Sequence, residues 1–115
     1  MKTISPSLKE KKRYIVFEVI SKSKIKAFSS VSRAIKASSL SFAGELGVAN
    51  MGLQVLPEKY HEEEQMGIIR VSTDTVEELK ASLALIQEID GEPAIVRSVG
   101  VSGMLNKAEK KYIAG

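Results

Sequence analysis

The chain has 115 residues, 43% of them apolar and 27% charged, with no cysteine and a formal net charge of +3. That suits one domain with one core, burying roughly two-thirds of the unfolded surface, and it excludes disulfides, thiolate metal sites and thiol redox couples. No apolar run approaches the ~18 residues needed to cross a membrane, and the charged N-terminus lacks the apolar stretch of a secretory signal, so a cytoplasmic protein with no membrane contact is expected.

The small net charge conceals a lopsided distribution. Residues 1–40 carry ten Lys or Arg against two Glu, residues 41–96 three against eleven acidic side chains, and residues 97–115 four against one. Two basic ends flank an acidic middle, an arrangement that steers a polyanion to one side of a molecule. Charge scattered for solubility is the plainer alternative.

Residues 1–12 (MKTISPSLKEKK) have no period and contain Pro6. They read as a mobile basic arm ahead of a single domain over residues 13–115. Such arms order on nucleic acid, although a frayed terminus has the same composition. Residues 13–21 (RYIVFEVIS) form the clearest strand, rich in β-branched and aromatic side chains. Ile15, Phe17 and Val19 alternate with Tyr14, Val16, Glu18 and Ile20, and Glu18 marks the second set as the open face. Residues 25–42 read as an amphipathic helix, with Ile25, Phe28, Val31, Ile35 and Phe42 at helical spacing and Lys26, Arg33 and Lys36 opposite. Its serines lower helix propensity, so packing must hold it; Gly44 and Gly47 mark its expected end.

Residues 44–73 read as the organising β-hairpin. A strand over 48–56 stops at Pro57, an acidic loop carries Glu62, Glu63 and Glu64, and a strand over 66–72 returns with Ile69 and Val71 on the core side and Ile68 and Arg70 on the open side. Residues 74–89 form a second helix, opened by a capping-box-like Asp74 and Glu77 and ended by Asp90-Gly91. The last strand, 93–101, has an ambiguous facing because Ile95, Val99 and Val101 share a parity with Arg97; Pro93 suits an edge. Residues 102–113 make a short third helix, with Met104, Leu105, Ala108 and Tyr112 on one face and Lys107, Lys110 and Lys111 on the other.

The order βαββαβ with an additional C-terminal helix predicts an α+β, ferredoxin-like or RRM-like sandwich on a four-stranded antiparallel sheet. Right-handed crossovers set strand 66–72 between 13–21 and 48–56, with 93–101 outside 13–21. Two helices cover one face. The other, with Tyr14, Val16, Ile20, Leu56 and Ile68, is too apolar to stay bare; the C-terminal helix is expected to cover part of it and a partner protein the rest.

The catalytic inventory is poor. His61 is the single histidine, without ligand-spaced partners, and three consecutive glutamates do not converge on a cation. No Walker A or Rossmann glycine pattern is present, nor the active-site pattern of the acylphosphatases that share this fold. The strand QMGIIRVS has no aromatic and the first strand offers only Tyr14, so base stacking of the RRM kind is not expected. Backbone contact by cations remains. The candidates are Lys9, Lys11, Lys12, Arg13, Arg33, Lys36, Arg70, Arg97, Lys107, Lys110 and Lys111. Arg70 and Arg97 are the better grips, since a guanidinium takes phosphate bidentately; either is equally placed to pair with Glu18. SVGVSGML, residues 98–105, offers Gly100, Ser102 and Gly103 as a close backbone approach for phosphate, or simply a strand-to-helix turn capped by Ser102.

Taken together, RYIVFEVIS, FAGELGVANMGLQVL…GIIRVST and IVRSVGVSGMLNKAEKKYI resemble the archaeal ribonuclease P protein component 2 family, a branch of the eukaryotic-archaeal Pop-five family, over about residues 10–114. The resemblance implies a subunit of the ribonucleoprotein that removes the 5′ leader of precursor tRNA. The RNA would carry catalysis with its own magnesium, and the protein would stabilise that RNA and help position substrate. It further implies a larger TIM-barrel-like protein partner, self-association within the complex, no catalytic residue and no cofactor on this chain. RNA contacts would fall at Arg13, Arg70, Arg97, Ser102, Gly103 and Lys107. A small-ligand-binding regulatory domain of the same fold, or a free-standing enzyme, are the alternatives.

Overall fold

The computed structural model describes residues 11–114. Its central strand is β1 (Lys12–Ser21), where Ile15, Val16, Phe17 and Val19 are all buried although they face opposite ways. A strand buried on both faces needs cover on both, and the rest of the chain supplies it. β3 (Met66–Ser72) runs antiparallel along one side, from Lys12 opposite Ser72 to Glu18 opposite Met66. β5 (Glu92–Ser102) runs antiparallel along the other, from Tyr14 opposite Ser102 to Ser21 opposite Ala94. The short β2 (Gln54–Val55) lies outside β3, and β4 (Glu88–Ile89) outside β5. The sheet thus has five strands in the order β2-β3-β1-β5-β4. The expected neighbours hold; the expected count of four does not.

The extra strand comes from Asp90-Gly91. Asp90 (φ 54°) and Gly91 (φ 80°) both have positive φ, the combination a two-residue hairpin turn requires. The helix expected to run to residue 89 therefore stops early: α2 (Val76–Ala84) is followed by β4. Ile89 is buried from that strand, and β5 is no longer a bare edge at Pro93, which pairs with Glu88. Beyond Ala94, the outer edge of β5 has no ladder partner among the described residues. The capping box at Asp74 and Glu77 does not form; the Thr75 hydroxyl instead donates to the Ser72 carbonyl at 3.0 Å.

The strand expected over 48–56 shrinks to two residues because the first helix overruns its glycines. α1 (Phe28–Met51) is broken at Gly44 (φ 77°, ψ 174°) and resumes, ending at Gly52 in the left-handed region, whose N–H donates to the Ala49 carbonyl at 3.3 Å. Met51 is buried from the second half of the helix rather than from a strand. Its serines serve packing. Ser38 donates to the Ser82 carbonyl across the α1–α2 contact, and Ser39 and Ser82 are fully buried.

The main core lies between the sheet and α1 and α2: Ile15, Phe17, Val19, Ile35, Ile69, Val71, Leu79 and Leu83 belong to it. A second cluster forms on the other face, where Val16, Ile68 and Ala108 are buried with Leu56, Val99, Leu105 and Tyr112 around them. The C-terminal segment, α3 (Leu105–Ala108) and the π-type turn Glu109–Ala114, supplies that cover, as expected from the apolar open face. The ambiguity of the last strand resolves into a β-bulge. Val16 pairs with Gly100 and Phe17 with Ser98, leaving Val99 opposite no residue. The phase inverts there: Ala94 and Val96 face the main core, Val99 the second cluster, and Val101 the main core again.

Candidate nucleic-acid interface

The loop between β2 and β3 is structural. Gln65, in a positive-φ conformation, turns its side chain inward, where Oε1 accepts the Ile25 N–H at 2.6 Å and Nε2 donates to the Val19 carbonyl at 2.9 Å. Tyr60 stacks on Phe17 and donates to the Ile25 carbonyl at 3.3 Å. Burial, and secondarily the Glu62 carboxylate, raise its phenol above the ordinary 10.0. His61 lies 3.6 Å and Lys59 3.1 Å from the two carboxylate oxygens of Glu109, tying this loop to the C-terminal segment. The His61 backbone is bridged to Met66, while its Nε2 is buried with no hydrogen-bond partner among the described residues. No three His, Asp or Glu side chains gather as a metal site among the described residues.

The basic candidates fall into separate groups rather than one patch. Lys107, Lys110 and Lys111 are exposed on the C-terminal segment, with the Lys111 ammonium 5.4 Å from the Tyr112 ring centre. Arg97 sits directly opposite Glu18 on β1, Nε to carboxylate 3.0 Å, so the cross-strand pairing foreseen for it is the one formed. Arg13 and Gly103 come together: the guanidinium donates to the Lys12 carbonyl at 3.2 Å, and a side chain at 103 would press within 3.4 Å of it. Ser102 closes a local turn with Met104, accepting its N–H and donating to its carbonyl, both 3.1 Å. Gly100 is occupied by the Tyr112 ring, which leaves no room there for a Cβ. The backbone approach at Gly100 thus serves the protein's own C-terminal segment. Lys11 is exposed and its carbonyl accepts the Thr73 N–H at 2.9 Å. Lys9 and the rest of residues 1–10 lie outside the described residues, and Lys12, assigned to the arm, belongs to β1.

The third group does converge. Lys12 from β1, Lys36 from α1 and Arg70 from β3 line one open groove of about 630 Å³. Leu40, Val48 and Ala49 from the two halves of α1 complete it, with Gly52, Leu53 and Gln54. Arg70 donates to the Gln54 side-chain oxygen directly across the β2–β3 pair, so its guanidinium is held. Arg33 and Lys36 line the adjoining hollow of about 540 Å³, where Arg33 lies 3.5 Å from Asp90. Sequence reading missed the groove because it placed Val48, Ala49 and Gln54 on one strand. The helical spacing of Leu46, Ala49 and Asn50 after Gly44 was the available signal.

These features define an α+β domain with a five-stranded antiparallel sheet and basic surface groups. The model of the Rpp14/Pop5 family matches residues 13–113, and the chain belongs to that family. Ribonuclease P protein component 2 of Thermococcus gammatolerans is 39% identical over 113 residues, covering 98% of this chain and 92% of that protein. The proteins of the same name from Pyrococcus furiosus and Methanocaldococcus jannaschii are 36% and 34% identical, each over 98% of this chain and over 92% and 81% of their own. Among solved structures, a chain of yeast ribonuclease MRP superposes with a TM-score of 0.62 over 90% of this chain and 78% of that one; at 16% identity this likeness concerns the fold alone.

Proposed function

We propose that the protein is a subunit of ribonuclease P, the ribonucleoprotein that removes the 5′ leader of precursor tRNA, and that it stabilises the catalytic RNA and helps position substrate without supplying catalytic groups. The observation that carries this is family membership over residues 13–113 together with near full-length relatives named as that enzyme's component 2. The dispersed basic groups suit backbone contact with a folded RNA more than reading of a base sequence. The ferredoxin-like reading of the sheet goes with the proposal, β4 being an addition to the four-strand core. Magnesium belongs to the RNA in this reading.

Partners follow from the uncovered remainder of the second sheet face. Ile20 and Ile95, a directly opposed pair, stay 47% and 59% exposed beyond the reach of the C-terminal segment. That pair is the proposed seat of the larger TIM-barrel-like protein subunit, with self-association as a further contact within the assembly. The test is to purify the tagged protein from its native cells and sequence the RNA that accompanies it. Enrichment of ribonuclease P RNA, with cleavage of precursor tRNA in the eluate, is expected. Its absence at low salt would sink the proposal and send the search to metabolite-dependent shifts in melting temperature.

A further inference from the structure

The groove at the break in α1 combines two chemistries that a double-stranded backbone cannot use together. Lys36, Arg70 and Lys12 supply positive charge, and Leu40, Val48 and Leu53 supply an aliphatic floor between them. Among the described residues, no carboxylate lines it. In A-form RNA the bases are stacked inside and present phosphates, 2′-hydroxyls and groove edges, leaving such a floor bare. A flipped or looped nucleotide satisfies both, with its phosphates on the cations and its base against the leucines. The cations continue along α1 to Arg33 through the shared side chain of Lys36, so a strand longer than one nucleotide fits better than a free nucleotide.

We propose that this groove seats an unpaired nucleotide of an RNA strand, with Lys36 and Arg70 on the flanking phosphates and Leu40 against the base. The inference rests on the RNA-binding function proposed above and names the feature of the RNA that is read. Arg70 is the oriented member, its guanidinium held by Gln54. Lys36 is exposed and, among the described residues, makes no hydrogen bond or ion pair, so its ammonium is available to a ligand. The groove exists because Gly44 breaks the helix: Lys36 and Leu40 precede the break, and Val48 and Ala49 follow it.

The test is fluorescence anisotropy of the full chain with two labelled RNAs, a hairpin with an unpaired loop and the same stem as a continuous duplex, each at several salt concentrations. Lys36→Ala with Arg70→Ala is expected to weaken the looped RNA about tenfold and to lower the slope of log affinity against log salt by about 1 to 2, as for loss of one or two phosphate contacts. The duplex should change little. Leu40→Ser is expected to weaken the looped RNA without moving the salt slope. Lys36 and Leu40 are exposed, so Lys36→Ala and Leu40→Ser alone remain readable should Arg70→Ala unfold, which a melting curve reports. Unchanged binding of the looped RNA overturns the proposal, and equal losses on loop and duplex overturn the seating of a base. If wild type binds neither RNA at low salt, the failure belongs to the parent reading and the groove proposal falls with it.

Discussion

A methyl group at position 100 would lie 2.1 Å from the Tyr112 ring, and one at position 44 would meet nothing within 4 Å. The two glycines are needed for different reasons. Gly100→Ala should push Tyr112 off the sheet and cost about 1–3 kcal/mol by overpacking; an unchanged urea midpoint would show that the C-terminal segment does not lie on β5. Gly44→Ala meets no steric neighbour, yet φ 77° with ψ 174° is a region essentially reserved for glycine, so a loss of about 1–3 kcal/mol is expected from backbone strain alone. Ser39 points the other way. Its hydroxyl is buried with no hydrogen-bond partner among the described residues, so Ser39→Ala should raise stability by about 1 kcal/mol, read as a higher melting temperature. Tyr60 sets an alkaline limit. Its phenol is raised by burial, so its contribution is complete below the unfolded value of 10.0 and is lost as pH rises through the higher folded value. Tyr60→Phe should flatten that alkaline fall relative to wild type; parallel curves would exclude Tyr60 as its source.

Among elements, those with one uninterrupted period were legible in the sequence. The alternation in β1 and β3 assigned Ile15, Phe17, Ile69 and Val71 to one side and Val16 and Ile68 to the other, as found. Apolar residues on the second face also disclosed that the C-terminal segment would cover part of it. Elements interrupted by a single residue were not legible. The unpaired Val99 inverts the facing of β5, so no constant alternation describes it. Gly44 breaks α1 without ending it, because a glycine conformation that turns the chain lets the helix resume immediately. Asp90-Gly91 is a strong hairpin signal, but β4 has only two residues and leaves no period to see. The C-terminal cover yields a prediction at this scale. Ala108→Glu buries a carboxylate against Val16 and Ile68 and should lose several kcal/mol or undock the segment. Undocking would expose the second cluster and increase binding of a hydrophobic dye; a variant with native stability and no dye binding would mean the cluster is not closed by this segment.

For the whole molecule, the lopsided charge announced a polyanion partner, and the sequence supplied the three cations of the groove without showing that they meet. Their convergence depends on the break in α1 and on the register of β1, β2 and β3, none of which leaves a mark at Lys12, Lys36 or Arg70 themselves. Arg97, chosen as a strong phosphate grip, is partly neutralised by Glu18 across the sheet, so Arg97→Ala should reduce the salt slope of RNA binding by less than about 1, the value for a dedicated phosphate contact. A full unit lost would show that RNA competes Glu18 away. The outer margin of β5 carries one more consequence. Past Ala94 it presents backbone donors and acceptors that no strand among the described residues takes up, and a bare margin of this kind is a template on which a second chain can align. A copy made in excess of its partners would therefore find its nearest match in another copy, and the yield of soluble protein should follow the supply of the assembly more closely than the supply of the chain.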